Sequence, residues 1–126
     1  MHVHHDAAHR WFAETGSRSW ATCPLTENGF VRIARNPNYP NRPGEVPFVL
    51  DILRTFCSLE GHSFWSDELS IREMLVPQTL VLHRQITDLY LLGLAAHRGE
   101  KLVSFDQRIP RRAVHGGGAA LELIIP

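Results

Sequence analysis

Residues 83–106, HRQITDLYLLGLAAHRGEKLVSFD, decide the fold that we expect for this chain. The first half of this stretch is dense in leucine and alanine and predicts a strongly apolar helix, which Gly99 is placed to end. Residues 101–105 predict a short strand, and Asp106 follows that strand directly. A buried helix that leads into a strand is the repeating unit of a parallel α/β sheet covered by helices on both faces.

The remainder of the chain alternates between helix and strand patterns in the same way. Thr26 and Thr87 are suited to cap the helices that follow them. The aromatic and leucine side chains at helical spacing are expected in the core; they are Trp11, Phe12, Phe30, Phe56 and Leu91. The predicted segments outside residues 83–106 are a helix over 6–13, a strand over 20–25, a helix over 27–33, a helix over 47–59, a turn over 116–118 and a strand over 121–125, with the assignment of 62–71 left open.

Composition limits the class of protein. The 126 residues, 44% hydrophobic and 21% charged, match one globular domain spanning 1–126. The formal net charge is zero, which excludes a strongly basic nucleic-acid binder, so any such binding must come from a local patch. No apolar run approaches the roughly 20 residues of a membrane span, and the start has no signal-peptide pattern. Two cysteines without CxxC spacing indicate free thiols and a reducing cytoplasm.

Three acidic residues follow predicted strands, and they are Glu27, Asp88 and Asp106. In an open parallel sheet, functional groups gather at the carboxyl ends of the strands, so acids distant in sequence can converge there. Converging carboxylates repel one another unless a cation neutralises them. The pattern therefore predicts a divalent metal with oxygen ligands. Taken singly, each acid also has a structural reading, because carboxylates favour the first turn of a helix and aspartate favours turns.

Other residue groups give weaker predictions. His5 and His9 lie at i, i+4 spacing and could bind zinc together, but a solvated helix start is the simpler interpretation, and a structural zinc protein is the weaker hypothesis. Arg84 and Arg108 lie near the acidic edge and either bind phosphate groups of RNA or are ordinary solvated surface. Gly116 to Gly118 lack the context of a phosphate-binding loop.

Three segments in order closely resemble the motifs of the VapC-type PIN-domain toxins: PLTENGFVRI at 24–33, HRQITDLYLLGLA at 83–95 and LVSFDQRI at 102–109. The resemblance covers nearly the whole chain. It implies a PIN-like three-layer α/β/α fold with a mostly parallel central sheet, and a Mg2+- or Mn2+-dependent endoribonuclease.

The same resemblance implies a homodimer that pairs with a cognate VapB-type antitoxin in a type II toxin-antitoxin system. It also assigns Glu27, Asp88 and Asp106 to the catalytic metal site, with Thr87 and Ser104 as supporting polar residues. In such a site the metal activates water for attack on an RNA phosphodiester.

The chain departs from the family pattern at its amino terminus. The pattern opens with an apolar strand that ends in aspartate, and we expect this chain to lack that strand and its acid. Asp6 is no substitute, because it follows no strand. A start at an internal methionine is the simplest account. The alternative is a catalytically inactive PIN-fold module that binds antitoxin or RNA, since the loss of one carboxylate weakens the hold on a cation.

Overall fold

The computed structural model describes residues 7, 10–35, 45–77 and 79–125. The chain divides into two compact units, one formed by Trp11–Asp67 and the other by Met1–Arg10 together with Glu68–Pro126. A single domain over 1–126 stays a prediction. The amino-terminal histidines of the zinc hypothesis and the predicted start of the first helix at Asp6 lie outside the described residues.

The unit Trp11–Asp67 contains a pair of parallel strands, β1 and β2. Trp20 of β1 pairs with His62 of β2, and Thr22 pairs with Phe64. Residues 11–14 are helical at the start of this unit. The elements that follow are a 3-10 helix Gly16–Arg18, β1 Trp20–Thr22, α1 Pro24–Ala34, α2 Val46–Cys57 and β2 His62–Phe64.

Helix α1 begins three residues earlier than predicted. Cys23 is extended and serves as the N-cap, and Pro24 occupies the first helical position, where its fixed φ suits the helix and its missing N–H costs nothing. Thr26 is therefore not the cap: its hydroxyl accepts a hydrogen bond from the Cys23 N–H at 2.8 Å. The prediction that Glu27 lies in the first helical turn is confirmed.

The second unit contains the other parallel strand pair and most of the core. Leu102 of β3 pairs with Leu121 of β4, and Ser104 pairs with Leu123. Its elements are α3 Ile71–Met74, a 3-10 helix His83–Gln85, α4 Ile86–His97, β3 Leu102–Ser104, a 3-10 helix Arg111–Ala113, α5 Gly117–Ala120 and β4 Leu121–Leu123.

Helix α4 places Asp88 in its first turn, as predicted, although its cap differs from the prediction. The N-cap is Gln85, and Thr87 is already inside the helix. The other end matches the sequence: Gly99 has φ +69°, its N–H donates to the Ala96 carbonyl at 3.1 Å, and the Glu100 N–H donates to the Ala95 carbonyl at 2.8 Å. This is a Schellman ending, which satisfies two carbonyls of the last turn.

Helix α4 packs the core of the second unit. Leu89, Leu92 and Leu94 are fully buried, and a cluster of apolar residues surrounds the first two; it comprises Ile109, Ala113, Val114, Ala120 and Leu121. The core assignment of Phe30 and Phe56 was wrong, since both side chains are exposed. Trp11, Phe12 and Leu91 are half-buried.

The predicted turn over 116–118 is only partly a turn. Gly116 adopts the left-handed conformation with φ +75°, and α5 begins at Gly117. A side chain at Gly117 would meet the Arg111 carbonyl oxygen at 2.3 Å, so glycine allows this close approach of the backbone.

The coarse fold class predicted from the sequence, mixed α/β with parallel strands, is confirmed. Each strand that the structure describes is three residues long. Strands β1, β3 and β4 are shorter than the runs that predicted them, and β2 lies in the segment 62–71, whose assignment was left open. Among the residues that the structure describes, no helix has the length and apolar character needed to cross a membrane.

Candidate active site

In the second unit, Asp106 lies close enough to Asp88 for its charge to disfavour ionisation of the Asp88 carboxyl group. Burial raises the pKa of the Asp88 carboxyl group, and the negative charge of Asp106 raises it further. Asp88 is placed by the first turn of α4, and Asp106 lies two residues beyond β3. Of the three predicted acids, Asp88 is therefore affected by the charge of Asp106, a repulsion that a bound cation would relieve.

The Asp106 carboxylate is fixed by its own loop. Its Oδ1 accepts the Arg108 backbone N–H at 2.9 Å and lies 3.3 Å from Arg108 Nε. The backbone hydrogen bond lowers the pKa of Asp106 most, and the guanidinium adds to this through its hydrogen bond and charge. The Ser104 hydroxyl accepts the Asp106 backbone N–H at 3.0 Å. The pKa of Asp106 is thus lowered, whereas that of Asp88 is raised.

The other predicted residues of this unit are exposed. Thr87 is an exposed residue of the first turn of α4, next to Asp88. Arg84 is exposed in the 3-10 helix that leads into α4. The Arg108 guanidinium is exposed and forms an ion pair with Asp106. Roles for these residues in supporting the site or binding RNA stay predictions.

Glu27 belongs to the unit Trp11–Asp67, where a hydrogen-bond network holds it. Its Oε2 accepts the Thr22 hydroxyl at 2.6 Å, a distance typical of a hydroxyl bonded to a carboxylate. The same hydroxyl lies 2.8 Å from His62 Nε2 and 4.0 Å from Cys57 Sγ. The convergence of Glu27 with Asp88 and Asp106 stays a prediction.

Two residues of this network, Cys57 and His62, were missed by sequence reasoning, because the sequence alone does not identify a histidine partner for either cysteine. Cys57 is the last residue of α2 and His62 is the first residue of β2. Ligand atoms of Glu27, Cys57 and His62 all lie within 4.8 Å of one another. The signal in the sequence is a Cys-x4-His spacing, which bridges a helix end and a strand start and matches no familiar metal-binding motif.

The Asp88 and Asp106 pair suits a divalent cation with oxygen ligands. Carboxylates offer the charge and the oxygen donors that Mg2+ prefers, and Mg2+ is usually held by one or two carboxylates with water completing its shell. A pair of this kind beside a parallel strand fits the class of metal-dependent hydrolases.

Comparisons with known proteins identify the family. The chain is 40% identical over 117 residues to "Ribonuclease VapC44" of Mycobacterium tuberculosis, an alignment that covers 91% of this chain and 82% of the relative. It is 38% identical over 117 residues to "Ribonuclease VapC39" of the same organism, covering 91% of this chain and 84% of the relative. It is 42% identical over 105 residues to "Ribonuclease VapC38", also of that organism, covering 83% of this chain and 74% of the relative.

The chain belongs to the VapC ribonuclease family of PIN-domain toxins, so the family predicted from the three motifs is confirmed. No profile of a protein family matches the sequence. No solved structure matches it either.

Proposed function

We propose that this protein is a Mg2+- or Mn2+-dependent endoribonuclease and the toxin of a type II toxin-antitoxin pair. The observation that carries the proposal is the alignment of most of this chain with several VapC ribonucleases. Relatives named as ribonucleases, aligned over most of this chain, give the reaction class.

The proposed fold is the PIN-like three-layer α/β/α arrangement with a mostly parallel central sheet, in a single domain over 1–126. The parallel pairing of β1 with β2 and of β3 with β4 supports it. A cytoplasmic location belongs to the same proposal.

Asp88 and Asp106, together with Glu27, are proposed to hold the cation. When bound, Mg2+ or Mn2+ lowers the pKa of a coordinated water and offsets charge that develops on the phosphodiester. The protein's own part is to present ionised carboxylates. Arg108 keeps Asp106 ionised, whereas Asp88 must lose its proton against burial and the charge of Asp106. We therefore expect cleavage to fall as the pH decreases through the raised pKa of Asp88.

Ser104, Thr87, Arg84 and Arg108 are proposed to support this site. Ser104 fixes the loop of Asp106 by accepting its backbone N–H. The exposed guanidinium groups of Arg84 and Arg108 suit RNA phosphates, which fix position without reading bases. Thr87 adjoins Asp88 at the start of α4 and offers a hydroxyl there.

The proposed partners are RNA, a cognate VapB-type antitoxin and a second copy of the chain. Large apolar side chains of the unit Trp11–Asp67 are exposed, with Phe64 at 56% and Phe48 at 53%. Ile33 of α1 and Phe56 of α2 are exposed as well. Exposed apolar side chains on this scale support association with a protein partner.

The proposal is tested by RNA cleavage with matched carboxylate variants. Asp106→Asn keeps the shape of the side chain and removes its charge, so cleavage of a single-stranded RNA in Mg2+ should be lost. Asp67→Asn, an exposed residue outside the site, should cleave like the wild type. EDTA should stop the reaction, and added Mg2+ should restore it.

Each variant must be purified identically, so that a contaminating nuclease appears equally in all samples. Circular dichroism must show that each variant is folded, so that a loss of cleavage is not a loss of structure. Wild-type cleavage by Asp106→Asn would overturn the assignment of the site. A folded wild-type chain that cleaves no RNA with either metal would overturn the enzymatic proposal and favour the inactive binding module.

A further inference from the structure

The unit Trp11–Asp67 holds a cluster with three different metal-binding donors. Glu27 comes from the first turn of α1, Cys57 from the end of α2 and His62 from the start of β2. One carboxylate oxygen, one thiol sulfur and one imidazole nitrogen lie within 4.8 Å of one another, and all three residues are half-buried. Three separate elements therefore deliver these donors to one point.

The donor chemistry separates this cluster from a magnesium site. Mg2+ takes oxygen ligands and keeps much of its water. A thiolate with an imidazole and a carboxylate suits Zn2+, which binds sulfur at about 2.3 Å and nitrogen or oxygen at about 2.0–2.2 Å. Three protein ligands with an open fourth position are the usual arrangement of zinc sites that keep a water molecule. Because the three donor atoms lie within 4.8 Å of one another, a modest contraction of the cluster would bring all of them within bonding distance of one Zn2+ ion.

Thr22 keeps the donors assembled when no metal is bound. A hydroxyl group has one proton, and an ionised carboxylate only accepts, so Thr22 donates to Glu27 at 2.6 Å. The 2.8 Å contact with His62 Nε2 then has the imidazole N–H donating to the Thr22 oxygen. Metal binding would remove the thiol proton of Cys57 and would use a ring nitrogen of His62 that carries no proton, because these ligands bind in their deprotonated forms.

The His62 ring also packs against an aromatic neighbour. Trp20 packs against it edge to face, with ring centroids 4.8 Å apart. A ligand whose orientation is fixed by its neighbours loses less conformational freedom when it binds a metal. The cluster is therefore preorganised by packing as well as by hydrogen bonds.

We propose that Glu27, Cys57 and His62 form a binding site for Zn2+, with a water molecule as the fourth ligand. This site is distinct in its donors from the aspartate pair of the second unit. It shares Glu27 with the proposed nuclease site, so Zn2+ would withdraw a carboxylate from that site and inhibit RNA cleavage. This inhibition rests on the proposed function, whereas metal binding by the cluster does not.

Titration of the full chain with Co2+, a spectroscopic substitute for Zn2+, tests the site directly. The background carries His2→Gln, His4→Gln, His5→Gln and His9→Gln, because those histidines offer competing ligands. We expect one equivalent of Co2+ to produce a near-ultraviolet charge-transfer band from thiolate to metal, together with the visible bands of four-coordinate cobalt. Zn2+ should displace the Co2+ and abolish both.

Matched variants identify the ligands. Cys57→Ser should lose the charge-transfer band, and Cys23→Ser, which alters the other cysteine, should keep it. His62→Gln and Glu27→Gln should each weaken Co2+ binding by about tenfold or more, because loss of a ligand costs at least as much as loss of a residue that orients one. His97→Gln, an exposed histidine of the second unit, should bind like the parent. Circular dichroism and thermal melting confirm that each variant is folded.

The absence of a thiolate band in the folded parent chain, or its persistence in Cys57→Ser, would overturn the zinc site. The inhibition is tested by the Zn2+ concentration that halves RNA cleavage in Mg2+, which should be higher for Cys57→Ser than for Cys23→Ser. If no chain cleaves RNA while the cobalt band is present, the proposed function fails and the zinc site stands. If cleavage is normal and the cobalt band is absent, the zinc site fails and the proposed function stands.

Discussion

Replacing Thr22 by valine tests whether the network around Glu27 exists as the structure shows it. Valine keeps the size and branching of threonine and is well tolerated in a strand. It removes only the hydroxyl that donates to Glu27 Oε2 at 2.6 Å and contacts His62 Nε2 at 2.8 Å. The change therefore isolates the hydrogen bonds of the Thr22 hydroxyl, including its longer contact with Cys57 Sγ at 4.0 Å.

The expected magnitude follows from the type and exposure of these bonds. A hydrogen bond to a charged group contributes about 1.5–3 kcal/mol net, and one between neutral groups contributes about 1 kcal/mol. Thr22, Glu27 and His62 are only half-buried, so water replaces part of what is lost. We expect Thr22→Val to lower the free energy of unfolding by about 1–2 kcal/mol.

Urea denaturation followed by circular dichroism measures this loss. The control is Thr55→Val, which removes a hydroxyl that donates to the Asp51 carbonyl at 2.9 Å on an exposed part of α2. Surface changes of this kind stay within about 0.5 kcal/mol.

A double-mutant cycle decides whether the loss comes from the bond to Glu27. The cycle combines Thr22→Val with Glu27→Gln, and contacting residues of one network typically couple by about 0.5–3 kcal/mol. The reasoning predicts a coupling of about 1 kcal/mol, because Gln accepts the hydroxyl without a charge. Additive effects, or a Thr22→Val loss no larger than that of Thr55→Val, would refute it.

Further predictions concern the aspartate pair and the core of the second unit. Burial and Asp106 raise the pKa of Asp88, so the folded state binds more protons than the unfolded state between the two pKa values and stability falls as the pH rises through that window. Asp88→Asn should therefore stabilise the chain at neutral pH, as seen in urea midpoints, and no gain would contradict the pair. The pKa of Asp106 is lowered, so its contribution to the free energy of unfolding is present above the ordinary pKa of aspartate. That contribution is lost as the pH falls through the lowered pKa. Asp106→Asn should destabilise at neutral pH, and the difference from wild type should shrink on acidification; a pH-independent difference would contradict the ionic contribution. Leu92→Ala, at a fully buried position, should lower the free energy of unfolding in urea by about 2–5 kcal/mol. The control Leu80→Ala, at 88% exposure, should change it by less than about 0.5 kcal/mol. Equal losses would contradict the assigned core.

The sequence predicted the features that depend on local pattern. Glycine at position 99 ends α4 in a left-handed conformation because few other residues adopt positive φ without strain. The first-turn positions of Glu27 and Asp88 followed from helix patterns that the structure confirms. The strand predicted before Asp88 was wrong, because residues 83–85 form a 3-10 helix that leads directly into α4.

Helix starts were misplaced because threonine hydroxyls also bond within a helix turn. Thr26 contacts Cys23 from inside α1, and Pro24 sets the helix start instead. At α4 the chain is already helical in conformation at Gln85, which makes no side-chain cap. The observed caps lie two or three residues before the predicted ones, and the sequence pattern alone does not fix the first residue of a helix that closely.

The side-chain network around Glu27 lay beyond prediction from the sequence. It depends on the pairing of β1 with β2, which brings Thr22 and His62 together from positions 40 residues apart. Periodicity reports which face of an element is buried, but it does not report which polar side chains meet. Similarly, Phe56 fitted an apolar helical face and is nonetheless exposed, because periodicity does not show whether a neighbour covers that face.

The central claim is that the predicted carboxylates hold one shared divalent cation. A crystal structure of the full chain grown with Mn2+, with anomalous diffraction collected at the manganese edge, tests it most directly. The account predicts an anomalous peak at coordination distance from carboxylate oxygens of Asp88, Asp106 and Glu27. A manganese ion at full occupancy that is coordinated by other residues would contradict the claim of a shared cation. Ordered side chains of Asp88 and Asp106 without metal at saturating Mn2+ would contradict it as well.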